Sequence, residues 1–335
     1  AYIAWLILVA AWMHLDFQNW PFEGRWPQPY QGLVMWVVNF VGAIFMVEIF
    51  FQRFFGKYVC PIFSYEALQA LGVEAGRAHA ISYGAITLVV LTGFVTYAMP
   101  IIYWERWPIA ELKQPEQGLV LWFIGTFNTI VFFWFLFWPY FSHVALGQVS
   151  AGAYPWWAGI AGSPEPGWTE GWWEWMVIYI FMVPLIWKGL PWSKIPQRIK
   201  QPWRGWIAFL AANAMAIITM YLLVIFVEPV FVPAEIVNNW SIWSNFRWAH
   251  ALDIACFTLM PFIMWAWYFD NWPGDEIGGE WGGFLIRTLG TFFAAAVIYV
   301  FYYSGFGVFM LNLKHELPAM WTDAHPAAWH FWWIL

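Results

Sequence analysis

The sequence predicts an all-α integral membrane protein, a polytopic bundle of eight or nine transmembrane helices built from tandem two-helix repeats of about 86 residues. Three observations lead there. Apolar residues make up 62% of the 335-residue chain and charged ones 10%, too little charge to clothe a soluble fold, in which about a quarter of residues are charged. Several apolar stretches exceed the ~20 residues needed to cross a bilayer core. A short polar junction is also written four times, with closing glycines Gly32, Gly118, Gly205 and Gly283 spaced by 86, 87 and 78 residues.

Each junction pairs a stop signal with a start signal. The first reads Asn19-Trp20-Pro21 and then Gln28-Pro29-Tyr30-Gln31-Gly32 (19–32). The second reads Arg106-Trp107-Pro108 and Gln114-Pro115-Glu116-Gln117-Gly118 (106–118). The third is Leu190-Pro191-Trp192 with Gln201-Pro202-Trp203-Arg204-Gly205 (190–205). The fourth is Asn271-Trp272-Pro273 with Gly279-Glu280-Trp281-Gly282-Gly283 (271–283). Proline disfavours the helical conformation at the residue before it, so the Trp-Pro step ends a helix. The Gln-Pro-x-x-Gly step begins the next one, with Pro in the first turn, where its missing N–H costs little.

Between these elbows nine apolar runs are expected to be helical: 2–15, 31–56, 78–103, 117–143, 170–188, 204–228, 247–269, 283–311 and 326–335. A bilayer forces every spanning segment to satisfy its own backbone, which selects helices over open strands. The first and last runs are too short to span and read as pieces of longer helices, so both ends are expected to be truncated. The chain forms a single membrane domain over 1–335. Pro100, Pro184 and Pro261 each fall late in the helix before an elbow, where a kink is expected. The loop over 144–169 is rich in Gly, Pro and Trp and is expected to cap one membrane face.

Charge sets the orientation. The elbow loops carry Arg25, Arg106, Lys113, Lys188, Lys194, Arg198, Lys200 and Arg204, and the opposite loops and flanks carry Arg53, Lys57, Arg77, Arg247 and Lys314. The positive-inside rule places the elbows in the cytoplasm, or on the inner face of a prokaryotic inner membrane. The 31 Trp fall partly at run ends, as an interfacial belt does. Others, such as Trp36, Trp122, Trp134 and Trp265, lie inside runs, where they pack against neighbours or wall a flat aromatic ligand. Cys60 and Cys256 stand outside any metal-binding spacing and define no disulfide framework.

The candidates for chemistry are few. Arg77-Ala78-His79-Ala80 and Arg247-Trp248-Ala249-His250-Ala251 open corresponding helices, with the two histidines 171 residues apart, close to two repeats. Two such imidazoles at matching depth can ligate one heme or a metal each, and Asp253, one helical turn after His250, is placed to orient it. The alternative is that each His caps its helix. His14, His143, His315, His325 and His330 lie near run ends. Glu48 and Asp253 lie within apolar runs, where a charge implies an ion path, a proton relay or a buried pair; Glu228, nearer an interface, says less. Asn39, Asn128 and Asn213 follow the closing Gly of three repeats, and Thr288 and Thr291 take that place in the fourth. They read as interhelical glue or as the lining of a polar path.

No phosphate-binding loop, zinc helix or nucleophile elbow is present in the sequence, and nothing resembles a nucleic-acid site. The expected function is therefore a membrane subunit of a redox or respiratory complex, anchoring partner subunits or holding a heme, quinone or pigment, with lipids bound around it. A secondary transporter with parallel repeats and a midplane polar path through Glu48, Asn39, Asn128 and Asn213 is the alternative. A metal-dependent oxidase is a third class, for which ligand density is low.

Overall fold

The structure is a computed structural model. It describes residues 1–22, 24–27, 29–137, 167–232, 234–268, 271–272 and 276–303. Gln28, Asp270, Pro273, Asp275, His143, Lys314, His315, His325, His330, the run 326–335 and most of the 144–169 loop lie outside the described residues. Regular structure among the described residues is helical throughout.

The helices are α1 (Tyr2–Ala11, running on into π-helical turns over Trp12–Asp16), α2 (Tyr30–Tyr58), α3 (Tyr65–Ala70), α4 (Ala75–Ile102), α5 (Glu116–Leu136), α6 (Gly167–Leu185), α7 (Trp203–Phe231), α8 (Trp240–Tyr268) and α9 (Gly279–Tyr303). Within the described residues, five helices are long and apolar enough to cross a membrane: α2, α4, α5, α7 and α9. The runs 170–188 and 247–269 fold as α6 and α8, in which aromatic and aliphatic residues alternate with buried polar ones.

The chain divides into two compact units, Ala1–Pro155 and Trp156–Leu335. In unit 1, α4 is the interior helix, packing against α1 and α5, while α1 also lies on α2. In unit 2, α6 is interior and packs on α7 and α8, with α9 against α8. The outer helices bury only one narrow stripe. On α7 it is Gly205, Ala208, Ala212, Ala216 and Met220, small residues that let two backbones approach. Their remaining faces carry exposed apolar side chains such as Phe123, Phe127, Leu210, Phe226, Leu289 and Phe293, as lipid contact requires.

Four elbows share one backbone pattern. The N–H groups of Asn19, Arg106, Gly189 and Asn271 each donate to the carbonyl six residues back, on Met13, Pro100, Val183 and Trp265, at 2.7–3.1 Å. Those four donors have φ of 62°, 62°, 84° and 60°, the left-handed helix terminus in which orphan carbonyls find partners. The start signal also has a physical basis. Pro29, Pro115 and Pro202 are the N-cap residues of α2, α5 and α7. The Gln before Pro bends its side chain over the first turn, so Gln114 Oε1 accepts from Gly118 N–H at 3.2 Å and Gln201 Oε1 from Gly205 N–H at 3.1 Å. A Cβ on Gly118 would sit 2.7 Å from Gln114 Oε1 and 2.6 Å from Phe17; the motif ends in Gly for that reason.

Helix-to-helix polar contacts are sparse and come mostly from hydroxyls. Thr96 and Thr129 pair at 2.6 Å and Tyr97 bonds Thr126, joining α4 to α5; Tyr179 with Thr219 joins α6 to α7. Most of these threonines also return a bond to their own helix four residues back, which satisfies them in an apolar medium.

Candidate functional site

Unit 2 gathers the titratable groups. Glu174 on α6, Glu228 at the end of α7, and His250 and Asp253 on α8 are enclosed, each 2% exposed or less. Tyr299 on α9 completes the set, its hydroxyl 2.7 Å from His250 Nε2. Asp253 and Glu228 lie within electrostatic range of each other and of Tyr299, and Glu174 and Asp253 both act on Cys256. Arg247 is the cation within range of Glu228, its guanidinium lying over the rings of Trp240 and Trp248 at 4.8 and 4.7 Å. Neither carboxyl oxygen of Glu228 and not Oε1 of Glu174 has a hydrogen-bond partner among the described residues. Trp175, which donates to the Ala251 carbonyl at 3.2 Å, holds α6 against α8 beside the cluster.

Local sequence explains the placement. The run Gly171-Trp172-Trp173-Glu174-Trp175 surrounds one carboxylate with indoles, and Gly171 lets the α8 backbone approach, with the Trp248 carbonyl 3.2 Å from where its Cβ would be. Glu228 directly follows a π-helical stretch, Leu223–Val227. Wider π turns re-aim the side chains that follow and often accompany functional positions. The other π-helical stretches also carry carboxylates: Trp12–Asp16 ends in Asp16 and Phe45–Phe55 contains Glu48.

In unit 1 the expected residues fall differently. Glu48 accepts hydrogen bonds from Tyr2 and Tyr83, the latter at 3.1 Å. His79 is exposed, its ring 4.4 Å from that of Tyr83 and 6.1 Å from that of Tyr65. His79 and His250 therefore occupy different units and opposite environments, one open and one enclosed. Counted to the Trp of the following elbow, His79 precedes Trp107 by 28 residues and His250 precedes Trp272 by 22; six residues of helix rise about 9 Å. Of the three asparagines, Asn39 is buried with Oδ1 lacking a hydrogen-bond partner, Asn213 donates to its own helix at the Phe209 carbonyl, and Asn128 is half-buried. Thr288 accepts from Trp187 Nε1 at 2.8 Å.

Three ionisable residues that are 2% exposed or less escaped the sequence reading. Glu174 reads as one acid in an aromatic run near a helix start. Asp16 closes the first run and looks like a boundary residue, yet it is fully enclosed and within electrostatic range of Arg106. Arg287 is 1% exposed and its Nε donates to the Ile186 carbonyl at the end of α6. A signal for Arg287 existed: of the 14 Lys and Arg, it alone belongs to neither the elbow loops nor the opposite loops and flanks that set the orientation.

Among the described residues no group of three or more His, Cys, Asp and Glu has a metal-holding arrangement. The fold and the enclosed ionisable groups define a polytopic helical membrane protein with a titratable core. No protein-family model, curated protein or solved structure matches the chain.

Proposed function

We propose that the protein is a proton-coupled membrane carrier, with Glu174, Glu228, His250, Asp253 and Tyr299 as its proton-binding site. The observation behind this reading is that three enclosed carboxylates on three helices are linked through their neighbours, Glu228 acting on Asp253 and Glu174 and Asp253 both acting on Cys256. Coulomb repulsion is strong where water is scarce, and desolvation penalises each charge, so three such groups with one nearby Arg do not all stay ionised. Glu228 and Asp253, which act on each other and on Tyr299, form the coupled pair of the set. A ligand or conformational step that admits water, or that moves Arg247, then changes how many protons the set holds. Asn39, with its unbonded amide oxygen, is the polar-path residue best placed to meet a solute in unit 1.

The reading extends to architecture: eight or nine spanning helices in tandem pairs, with every elbow on the cytoplasmic side. It draws support from the common backbone of the elbows, the repeated Gln cap and the excess of cations in those loops.

The test is proton uptake by reconstituted vesicles carrying an internal pH dye. Glu228→Gln and Asp253→Asn each remove one carboxylate with little change of shape and are expected to reduce coupled proton flux at least tenfold while helix content stays constant. Flux equal to the parent protein in both variants, or none in the parent, would sink the proposal.

A second reading rests on His79. Its exposed ring beside Tyr65 and Tyr83 suits a heme edge, quinone or other flat cofactor, and would make the chain a subunit of a redox or respiratory membrane complex with partner subunits. His250 suits that role less, since Tyr299 must leave its Nε2 before iron can take it. Oxidised and reduced absorption spectra of protein drawn gently from its native membrane decide: a Soret band lost in His79→Ala supports the redox reading, and a colourless protein removes it.

A further inference from the structure

The third elbow differs from the others in charge. Lys188, Lys194, Arg198, Lys200 and Arg204 fall within 17 residues that contain no Asp or Glu. Lys194 is engaged, its Nζ 2.7 Å from Glu280 Oε2 at the start of α9. That bridge ties the elbow to the first turn of α9, where a carboxylate is favoured by the helix dipole. Lys188, Arg198 and Lys200 stay exposed. The next residues are the start of α7, where Trp203 is 67% and Trp206 46% exposed. Exposed indoles on the first turn of a spanning helix mark the headgroup level of the bilayer. Arg198 and Lys200 thus stand exposed at the depth where lipid phosphates lie.

We propose that this elbow is a binding site for anionic phospholipid headgroups, with Arg198 and Lys200 contacting the phosphate and Trp203 and Trp206 packing on the glycerol and upper acyl region. The inference is independent of proton coupling. The Lys194–Glu280 bridge links the basic loop to the first turn of α9, and no acid within the elbow competes for Arg198 or Lys200. The first elbow gives the internal contrast, since its exposed cation, Arg25, stands without a basic neighbour.

The test is lipid retention by the full chain, read by native mass spectrometry after incubation with mixed micelles containing phosphatidylglycerol or phosphatidylcholine. Each Lys or Arg near an anionic surface contributes about fivefold to binding. The Arg198→Gln/Lys200→Gln variant should therefore retain phosphatidylglycerol about thirtyfold more weakly, while Arg25→Gln retains it like the parent. Raising salt from 50 to 500 mM should release the lipid from the parent chain, a second measurement that needs no variant. Equal retention of the two lipids by the parent, unchanged retention in the double variant, or salt-insensitive retention would overturn the assignment. So would displacement of the lipid by millimolar inorganic phosphate, which would make the elbow a site for the free anion.

Discussion

At the residue scale, partners decide what an ionisable or small side chain does. Glu74 caps α4, its two carboxylate oxygens accepting from the N–H groups of Gly76 and Arg77 at 2.9 Å. Those bonds hold its carboxyl below the ordinary value of 4.5. A depressed acid stabilises the fold above its unfolded value and loses that contribution as pH falls through its folded one. Thermal melts taken from pH 7 downward should show the midpoint dropping in acid, and Glu74→Gln should flatten that drop. An identical slope in parent and variant would leave the cap without thermodynamic weight. Cys60 is the opposite case: burial pushes its thiol up to about 11, so almost no thiolate is present at neutral pH. A maleimide added to folded protein should label it far more slowly than after unfolding. Gly125 marks where packing leaves no room, since a Cβ there would overlap the Tyr97 ring. Gly125→Ala should destabilise by about 1–3 kcal/mol, as overpacking does, and a variant melting with the parent would show that Tyr97 can step aside.

At the element scale, the ends of helices are the determining points. The C-terminal carbonyls of α1 and α6 face inward and are satisfied by side chains from elsewhere in the same unit. Gln114 Nε2 donates to the Asp16 carbonyl at 2.9 Å, and Arg287 donates to that of Ile186. A cation at a helix C-terminus gains from the dipole as well as from the bond. Arg287→Met should therefore cost about 1.5–3 kcal/mol, the range for a hydrogen bond made by a charged group. Arg287→Lys should recover only part of it, because an ammonium lacks the planar fork. Denaturation midpoints in one detergent give the comparison. Helix positions were largely legible in the sequence, because Trp-Pro and Gln-Pro-x-x-Gly act locally through φ preferences and a side-chain cap. Which carbonyls would be reached by Gln114 or Arg287 was not legible, because those partners lie about 100 residues away.

At the scale of the whole molecule, topology is the prediction that matters. Single cysteines at Glu111 and Ser193 in two elbows, and at Gln69 on the opposite loops, all at exposed positions, can be placed in a chain with Cys60 and Cys256 replaced by Ala. If helices cross in pairs between elbows, an impermeant maleimide should reach both elbow sites from the cytoplasmic face and Gln69 only from the other. Elbow sites that label from opposite faces would break the paired arrangement.

By itself the sequence determined that the chain is helical with spans long and apolar enough for a membrane, and where most of its long helices and their polar junctions lie. Those features follow from solvation and local backbone preference, which read only neighbouring residues. It also singled out Glu48 and Asp253, because charge inside an apolar run is costly wherever it occurs, and His250 through its echo of His79. Only the tertiary structure decided that Glu174 and Glu228 join His250 and Asp253, that Tyr299 takes the His250 ring nitrogen, that Glu48 is held by two tyrosines, and that His79 is open while His250 is enclosed. Those outcomes depend on which helix faces meet, and residues far apart in sequence become neighbours only when packing brings their helices together.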